Sequence, residues 1–321
     1  MSHDQGVPPT PRPSSVKRAR PLSRADIQAQ VRARREQFEE ANEKITARSG
    51  RNLISAILIG VVLAGVVVLS LVVIKELFMV FAVTLVVFGT LELATALRHA
   101  GITVPRVPAA VVGAAMVPAA YYWQAEGQWL VFIGGVVAVA LWRLVEIAVA
   151  REHRGALAAL RDLGAGVFVQ VYVSFLGSIA VLLVSKEGGQ WWVLSFIVVT
   201  VLVDVGAYAT GLNFGKHPMA PTISPKKTWE GLAGAVAAAL IGGVLLALFV
   251  LGQPWWVGLV FGAVIAATAT AGDLAESLLK RDIGIKDMSS WLPGHGGFLD
   301  RLDSMLPSAA AAYMLWVIFS G

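Results

Sequence analysis

The chain contains no cysteine, which excludes disulfide bridges, thiolate nucleophiles and Cys-ligated metals. Charge is scarce as well: 15% of the 321 residues are Asp, Glu, Lys or Arg, against roughly a quarter in an ordinary soluble domain. There is no GxxxxGK[ST] segment and hence no Walker-type nucleotide loop, and no HExxH zinc motif. The polar N-terminus lacks the early apolar stretch of a cleavable signal peptide. Its basic residues are not interleaved with aromatics, which argues against nucleic acid as a partner.

What fills the chain is apolar sequence, 56% of all residues. It comes in repeated runs of about 20 residues, the length that crosses a hydrocarbon core of roughly 30 Å. A soluble helical core would show polar helix faces, and these runs do not. The fold class expected is an all-α polytopic membrane protein. Three regions follow. Residues 1–50 form a basic segment: 1–22 have the composition of disordered sequence, and a solvated helix is expected at about 24–47, with Ser23 as its cap. Attraction of that helix to anionic lipid headgroups is the alternative. Residues 51–190 hold the N-terminal membrane helices and 191–321 a C-terminal catalytic region.

Nine spans are expected. They begin near Leu53, Leu77, Val107, Trp129, Leu163, Trp191, Leu232, Trp255 and Phe298, and Pro118 should kink the third. Loops on one side carry Arg98, Arg106, Arg151, Arg154, Arg161, Lys216, Lys226, Lys227, Lys280, Arg281, Lys286 and Arg301, whereas the other side has only Lys75 and Lys186. The positive-inside rule makes the first side cytoplasmic, together with the N-terminus. Eleven of the 26 Lys and Arg lie in the first 51 residues.

Polarity concentrates between the last two spans, in SLLKRDIGIKDMSSWLPGHGGFLDRLD, residues 277–303. Helical positions i, i+3 and i+4 share a face, with Cβ atoms roughly 5–6 Å apart. Asp273, Glu276 and Ser277 should therefore point together, as should Asp300 and Asp303. Four converging carboxylates repel one another unless compensated. Either a hard cation such as Mg²⁺ holds them together, or they pair with Lys280, Arg281 and Arg301. SPKKTWEG (Ser224 to Gly231) adds adjacent lysines, Lys226 and Lys227, on a proline-fixed loop. Two basic pairs beside an acid cluster suit the clamping of phosphate oxygens; loop lysines also arise from topology alone. His295, between Gly294 and Gly296 in PGHGG, is a phosphate ligand, an acid or base, or a turn residue. Asp204 and Tyr208 share a face late in the sixth span, for a functional role or for an interhelical hydrogen bond. The small-residue run GLAGAVAAALIGG marks the seventh span as a close-packing surface. Arg143 and Glu146 are spaced to pair.

At these residues the chain resembles the bacterial phosphatidate cytidylyltransferases, the CDP-diacylglycerol synthases. Ser277, Leu279, Lys280, Arg281, Lys286, Asp287, Ser289, Leu292, Pro293, His295, Gly296, Gly297, Phe298, Asp300, Arg301, Leu302 and Asp303 satisfy every fixed position of that family's signature. The run Asp204 to Tyr208 and SPKKTWEG are similar too. The resemblance implies attack of the phosphatidic acid phosphate on CTP, giving CDP-diacylglycerol and pyrophosphate. It implies Mg²⁺, with ligands at Asp273 and Asp300, a second cation and a homodimer. On this reading Asp273, Asp300, Asp303, Lys280 and Arg281 are catalytic, and Asp273, Asp300, Glu276 and Asp303 are the metal-ligand candidates. Lys226, Lys227, Ser224, Arg301, His295, Asp204 and Tyr208 bind substrate. The expected setting is a multi-pass protein of the inner, cytoplasmic membrane with its site facing the cytoplasm. A related CTP-dependent lipid-alcohol kinase is the nearest alternative. A transporter with Asp204 and Glu92 on its pathway is more distant, since no internal repeat is visible.

Overall fold

The computed structural model describes residues 53–149, 155–289, 291 and 297–320. The basic segment 1–50 with its expected helix at 24–47, Arg151 and Arg154, and the part of the glycine-rich turn from Leu292 to Gly296, including His295, lie outside the described residues. Contacts divide the chain into Met1–Ile57 and a body, Leu58–Gly321. The packing below is that of the body.

Nine helices follow one another among the described residues. They are α1 (Leu53–Val72), α2 (Lys75–His99), α3 (Arg106–Tyr122), α4 (Gln124–Val149), α5 (Ala156–Val184), α6 (Gly189–Phe214), α7 (Trp229–Leu251), α8 (Trp255–Asp282) and α9 (Leu299–Phe319). Seven of them, α2 and α4 to α9, are long and apolar enough to cross a membrane. The protein is membrane-embedded and overwhelmingly helical. α3 runs through Pro118 and has 17 residues. The helices start within several residues of the expected positions, because apolar length and helix length coincide when no water is available to the backbone.

One loop departs from the all-α expectation. SPKKT forms a strand, β2 (Ser224–Thr228), antiparallel to β1 (Pro218–Ala220), with Pro218 opposite Thr228 and Ala220 opposite Ser224. The hairpin is short, and side chains at its base fasten it. Glu230, in the first turn of α7, accepts from the Lys216 and His217 N–H groups at 3.1 and 3.2 Å and pairs with His217 Nδ1 at 2.5 Å. Thr228 caps α7, its Oγ1 accepting from Gly231 N at 3.1 Å. Lys226 and Lys227 thus sit on a strand fixed to the start of a membrane helix.

Small residues set the helix spacing, as the seventh run predicts. A Cβ at Gly206 of α6 would lie 2.7 Å from Gly234 O of α7. Between α7 and α8, a Cβ at Gly243 would lie 2.4 Å from Gly258 O, and one at Gly262 would lie 2.3 Å from Ala239 O. Backbones this close exchange dispersion contacts that lipid cannot match. Further into the bundle Trp192 meets Phe261 edge to face, with ring centroids 5.6 Å apart.

Arg143 pairs with Glu146 at 3.3 Å, as the i, i+3 spacing predicts. It also grips a partner the sequence did not single out. Its Nη2 and Nε donate to Asp162 Oδ2 at 2.8 and 3.1 Å, and Asp162 Oδ1 accepts from Thr103 N at 2.9 Å. Both side chains are buried, and together they lock α4 to α5 and to the loop after α2.

Candidate active site

The site begins in the last turns of α8. Asp273, Glu276, Ser277 and Lys280 follow one another at i, i+3, i+4 and i+7, and they do share a face. Ser277 Oγ donates to Asp273 Oδ1 at 3.4 Å, and Lys280 Nζ stands 3.4 Å from Glu276 Oε1. Glu276 is 1% exposed. Neither of its carboxylate oxygens has a hydrogen-bond partner among the described residues, although Lys280 lies within ion-pair range. Such a group is costly to bury and calls for a charged ligand or a proton.

Lys280 and Arg281 sit in the last turn of α8, where cations favour the helix dipole. Gly284 then adopts φ +73°, and its N–H and that of Ile285 return to Arg281 O and Lys280 O at 3.1 and 2.9 Å. The chain reverses there, as a left-handed glycine after a helix allows. It comes back to place Asp300 beside Lys280, with Lys280 Nζ donating to Asp300 Oδ1 at 2.8 Å. Asp300 Oδ2 accepts from Gly297 N at 2.8 Å and Met288 N at 3.1 Å. This one carboxylate closes both ends of the returning loop. Asp303 lies a turn further on, beside Glu276, with Oδ1 accepting from Ser304 N at 2.6 Å. α9 can come this near because Gly272 faces it: a Cβ there would lie 2.2 Å from Asp303 O.

The hairpin supplies the other side. Lys227 Nζ reaches Asp273 Oδ2 at 2.6 Å. Lys226, Lys227, Asp204, Tyr208 and Asp273 line one cavity of about 280 Å³ between α6, β2, α7 and α8. Its remaining wall is largely apolar, with Val203, Ala207 and Ala235 among the lining residues.

The structure therefore brings together Asp273, Glu276, Asp300 and Asp303, with Lys280 and Lys227 between them, and joins them through Asp273 to the cavity holding Asp204, Tyr208 and Lys226. It does not bring Arg281 to the acids: Arg281 Nε donates to Ile223 O at 3.2 Å, tying the end of α8 to the hairpin. Arg301 is exposed on the first turn of α9, and Ser224 begins β2, half-buried and outside the cavity lining. His295 is outside the described residues.

Four carboxylates facing two lysines leave two negative charges uncompensated when all are ionised. That charge and the oxygen-only donors suit a hard divalent cation. The side chains as they stand are ion-paired, however, and no group of three or more Asp, Glu or His among the described residues is arranged to hold a metal ion.

Two residues at this site had no assigned place in it from sequence. Glu92 of α2, 1% exposed, accepts from Phe298 N at 2.9 Å, from Leu299 N at 2.8 Å and from Ser289 Oγ. The lone acid in the second span was its only signal. Tyr172 lies on a π-helical turn of α5, Gln170–Phe175. Its buried hydroxyl has no hydrogen-bond partner among the described residues, and its charged neighbours are Glu276, Asp303 and Asp273. π-turns recur at functional sites, but they leave no mark in hydrophobic periodicity.

The cytidylyltransferase family model matches residues 54–319. The chain is 39% identical over 275 residues to a protein of Mycobacterium bovis named phosphatidate cytidylyltransferase, covering 84% of this chain and 90% of that protein. A Mycobacterium leprae protein of the same name is 40% identical over 280 residues, covering 85% of this chain and 90% of its own length. A shorter match, 43% over 117 residues, is to the phosphatidate cytidylyltransferase of Brucella suis and covers 36% of this chain. With the family's model spanning both the membrane helices and the carboxylate cluster, the chain belongs to the cytidylyltransferase family.

Proposed function

We propose that this protein is a phosphatidate cytidylyltransferase, moving the cytidylyl group of CTP onto phosphatidic acid. The observation that carries the reading is the carboxylate group Asp273, Glu276, Asp300 and Asp303, with Glu276 buried and the others half-buried, paired with Lys227 and Lys280 at the end of a membrane helix and beside a lysine-lined cavity. A phosphate oxygen of phosphatidic acid attacks the α-phosphorus of CTP. The new P–O bond forms as the bond from that phosphorus to the β-phosphate oxygen breaks, and pyrophosphate leaves. The nucleophile is already an anion and needs no general base, so the protein's work is positioning and charge stabilisation.

Lys226 and Lys227 hold phosphate oxygens in the cavity, with Asp204 and Tyr208 on its far wall. Lys280 is placed to exchange Asp300 and Glu276 for substrate phosphate. Arg281, Arg301, Ser224 and His295 are assigned to binding the nucleotide. Asp273, Glu276, Asp300 and Asp303 are the residues that would hold Mg²⁺, which when bound neutralises phosphate charge; a second cation belongs to the same assignment. The proposed topology has nine spans, a cytoplasmic N-terminus and a cytoplasmic-facing site in the inner membrane, and the proposed assembly is a homodimer. The acyl chains stay among lipids and CTP arrives from water.

The test is pyrophosphate release by the detergent-purified protein given CTP and Mg²⁺, with phosphatidic acid, with a free lipid alcohol, or with neither. Release only with phosphatidic acid is the expected result. Release with the alcohol alone would move the chain to the lipid-kinase reading. No release from folded protein under either condition would end both.

A further inference from the structure

We propose that Glu92 is a positioning residue for this reaction: from α2 it holds the chain on both sides of the glycine-rich turn and so sets where Asp300 and Asp303 stand. The inference rests on the function proposed above but concerns a residue outside the signature. Phe298, the residue that opens α9, makes no side-chain cap of its own. A helix start leaves main-chain N–H groups without partners and carries partial positive charge. Glu92 supplies what is missing from a helix some 200 positions earlier in the chain. Its Oε1 accepts from Phe298 N at 2.9 Å and its Oε2 from Leu299 N at 2.8 Å.

The same carboxylate accepts from Ser289 Oγ, on the near side of the turn. One helical turn back on α2, Phe88 repeats the grip with rings. It stacks on Phe298 at a centroid distance of 4.8 Å and 12° and meets Trp291 edge to face at 5.7 Å and 84°. Residues 88 and 92 share a helix face, so one face of α2 holds Ser289 and Trp291 before the turn and Phe298 and Leu299 after it. Gly297 leaves the room required: a Cβ there would stand 2.9 Å from both Glu92 oxygens and 3.1 Å from Asp300 Oδ2. Asp300 follows Leu299 directly, and Asp303 is one helical turn on. Glu92 itself is not among the residues that line the cavity; it acts through the two aspartates.

Glutamine has the same shape with one acceptor oxygen, so Glu92→Gln keeps the bonds of one oxygen and turns an amide NH₂ toward the donors of the other. The experiment compares the full-length wild type with Glu92→Gln and Ser289→Ala, and with Gln128→Leu as a control. Gln128 is equally buried, bonded to Ser178 Oγ at 2.7 Å, and lies at the opposite end of the bundle. Three quantities are read: hydrogen exchange of the Phe298 and Leu299 amides, thermal stability, and kcat and KM with CTP and phosphatidic acid.

In Glu92→Gln the two amides should exchange about tenfold faster. kcat should fall on the order of 100-fold, as a misplacement near 1 Å produces, while KM for phosphatidic acid stays within about twofold. Ser289→Ala should move both readouts the same way by less. Gln128→Leu should lower the melting temperature without changing kcat per folded molecule. Unchanged exchange in Glu92→Gln overturns the proposal. So does a kcat loss that Gln128→Leu reproduces at an equal drop in stability. Should Glu92→Gln not fold, Ser289→Ala decides between the same two outcomes. Wild type without turnover would count against the assigned reaction and not against the clamp, which the exchange measurement judges alone.

Discussion

Lys280→Met tests the electrostatics of the site directly. Lys280 bridges Asp300 at 2.8 Å and Glu276 at 3.4 Å, with side-chain exposures of 15%, 7% and 0% for the lysine, the aspartate and the glutamate, so solvent screens the group little. Removing one partner of a buried ion pair destabilises by about 3–5 kcal/mol. The lower figure, about 3 kcal/mol, applies here, because Asp300 keeps the Gly297 and Met288 N–H donors. That is roughly 150-fold in the folding equilibrium. The substitution also leaves four carboxylates facing one lysine, so the uncompensated charge grows from two to three. A cation that binds only the folded state stabilises by RT ln(1 + [L]/Kd), and the more negative cluster binds it more tightly. The assay is chemical unfolding in detergent, with and without millimolar Mg²⁺, at ionic strength held constant with a monovalent salt. Lys280→Met should start lower and gain more from Mg²⁺ than wild type, while turnover falls because the phosphates lose a cation. Equal gains in both proteins, or no destabilisation without Mg²⁺, would refute the view of these carboxylates as one coupled cluster open to a cation.

Gly272→Ala places a methyl 2.2 Å from Asp303 O, which forces α9 away from α8; overpacking of this kind costs about 1–3 kcal/mol, and turnover should fall more than stability in paired activity and melting measurements. Arg143→Met removes the guanidinium from the buried pair with Asp162 and should destabilise by about 3 kcal/mol with turnover per folded molecule unchanged, in paired melting and activity measurements. Asp300→Asn should lower both stability and turnover, since an amide cannot satisfy Lys280, Gly297 N and Met288 N together. Asp303→Asn should lower turnover and weaken the response to Mg²⁺ with a smaller change in melting temperature. Near-normal turnover of folded Asp300→Asn would remove Asp300 from the metal-binding group.

The helices were legible because membrane segments advertise themselves through length and hydropathy alone, and the acids of α8 because their spacing is local. Asp273, Glu276 and Lys280 needed only the helical repeat. Arg281 shows where local pattern stops: adjacent to Lys280 in sequence, it points elsewhere around the helix and meets Ile223 O instead of the carboxylates. The strand at SPKKT is five residues long and contains a proline, and what fastens its base, Glu230 to His217, is a contact across a loop. Glu92 could be recognised as an isolated acid in an apolar run, but its partners are set by which helices pack together. Tyr172 is hidden more thoroughly, because the π-turn shifts the phase of the helix that carries it.

The length of α8 sets the depth of the chemistry. The helix has 28 residues, about 40 Å at 1.5 Å per residue, against a hydrocarbon core of roughly 30 Å. Its apolar part ends at Gly272, 18 residues from Trp255, which spans about 27 Å. Asp273 is therefore the first charged residue past a near-complete crossing, and Glu276 and Lys280 lie in the turns beyond. In the proposed orientation this is the level of lipid headgroups, where a phosphate fixed to a diacylglycerol can reach a water-soluble triphosphate without either leaving its own phase. α9 approaches the same level from the loop side and delivers Asp300 and Asp303 there because the turn before it is held by α2 and closed on α8. A site of this kind is assembled at the boundary by helices that overrun the membrane, and the carboxylates become a unit only when the overrunning ends meet.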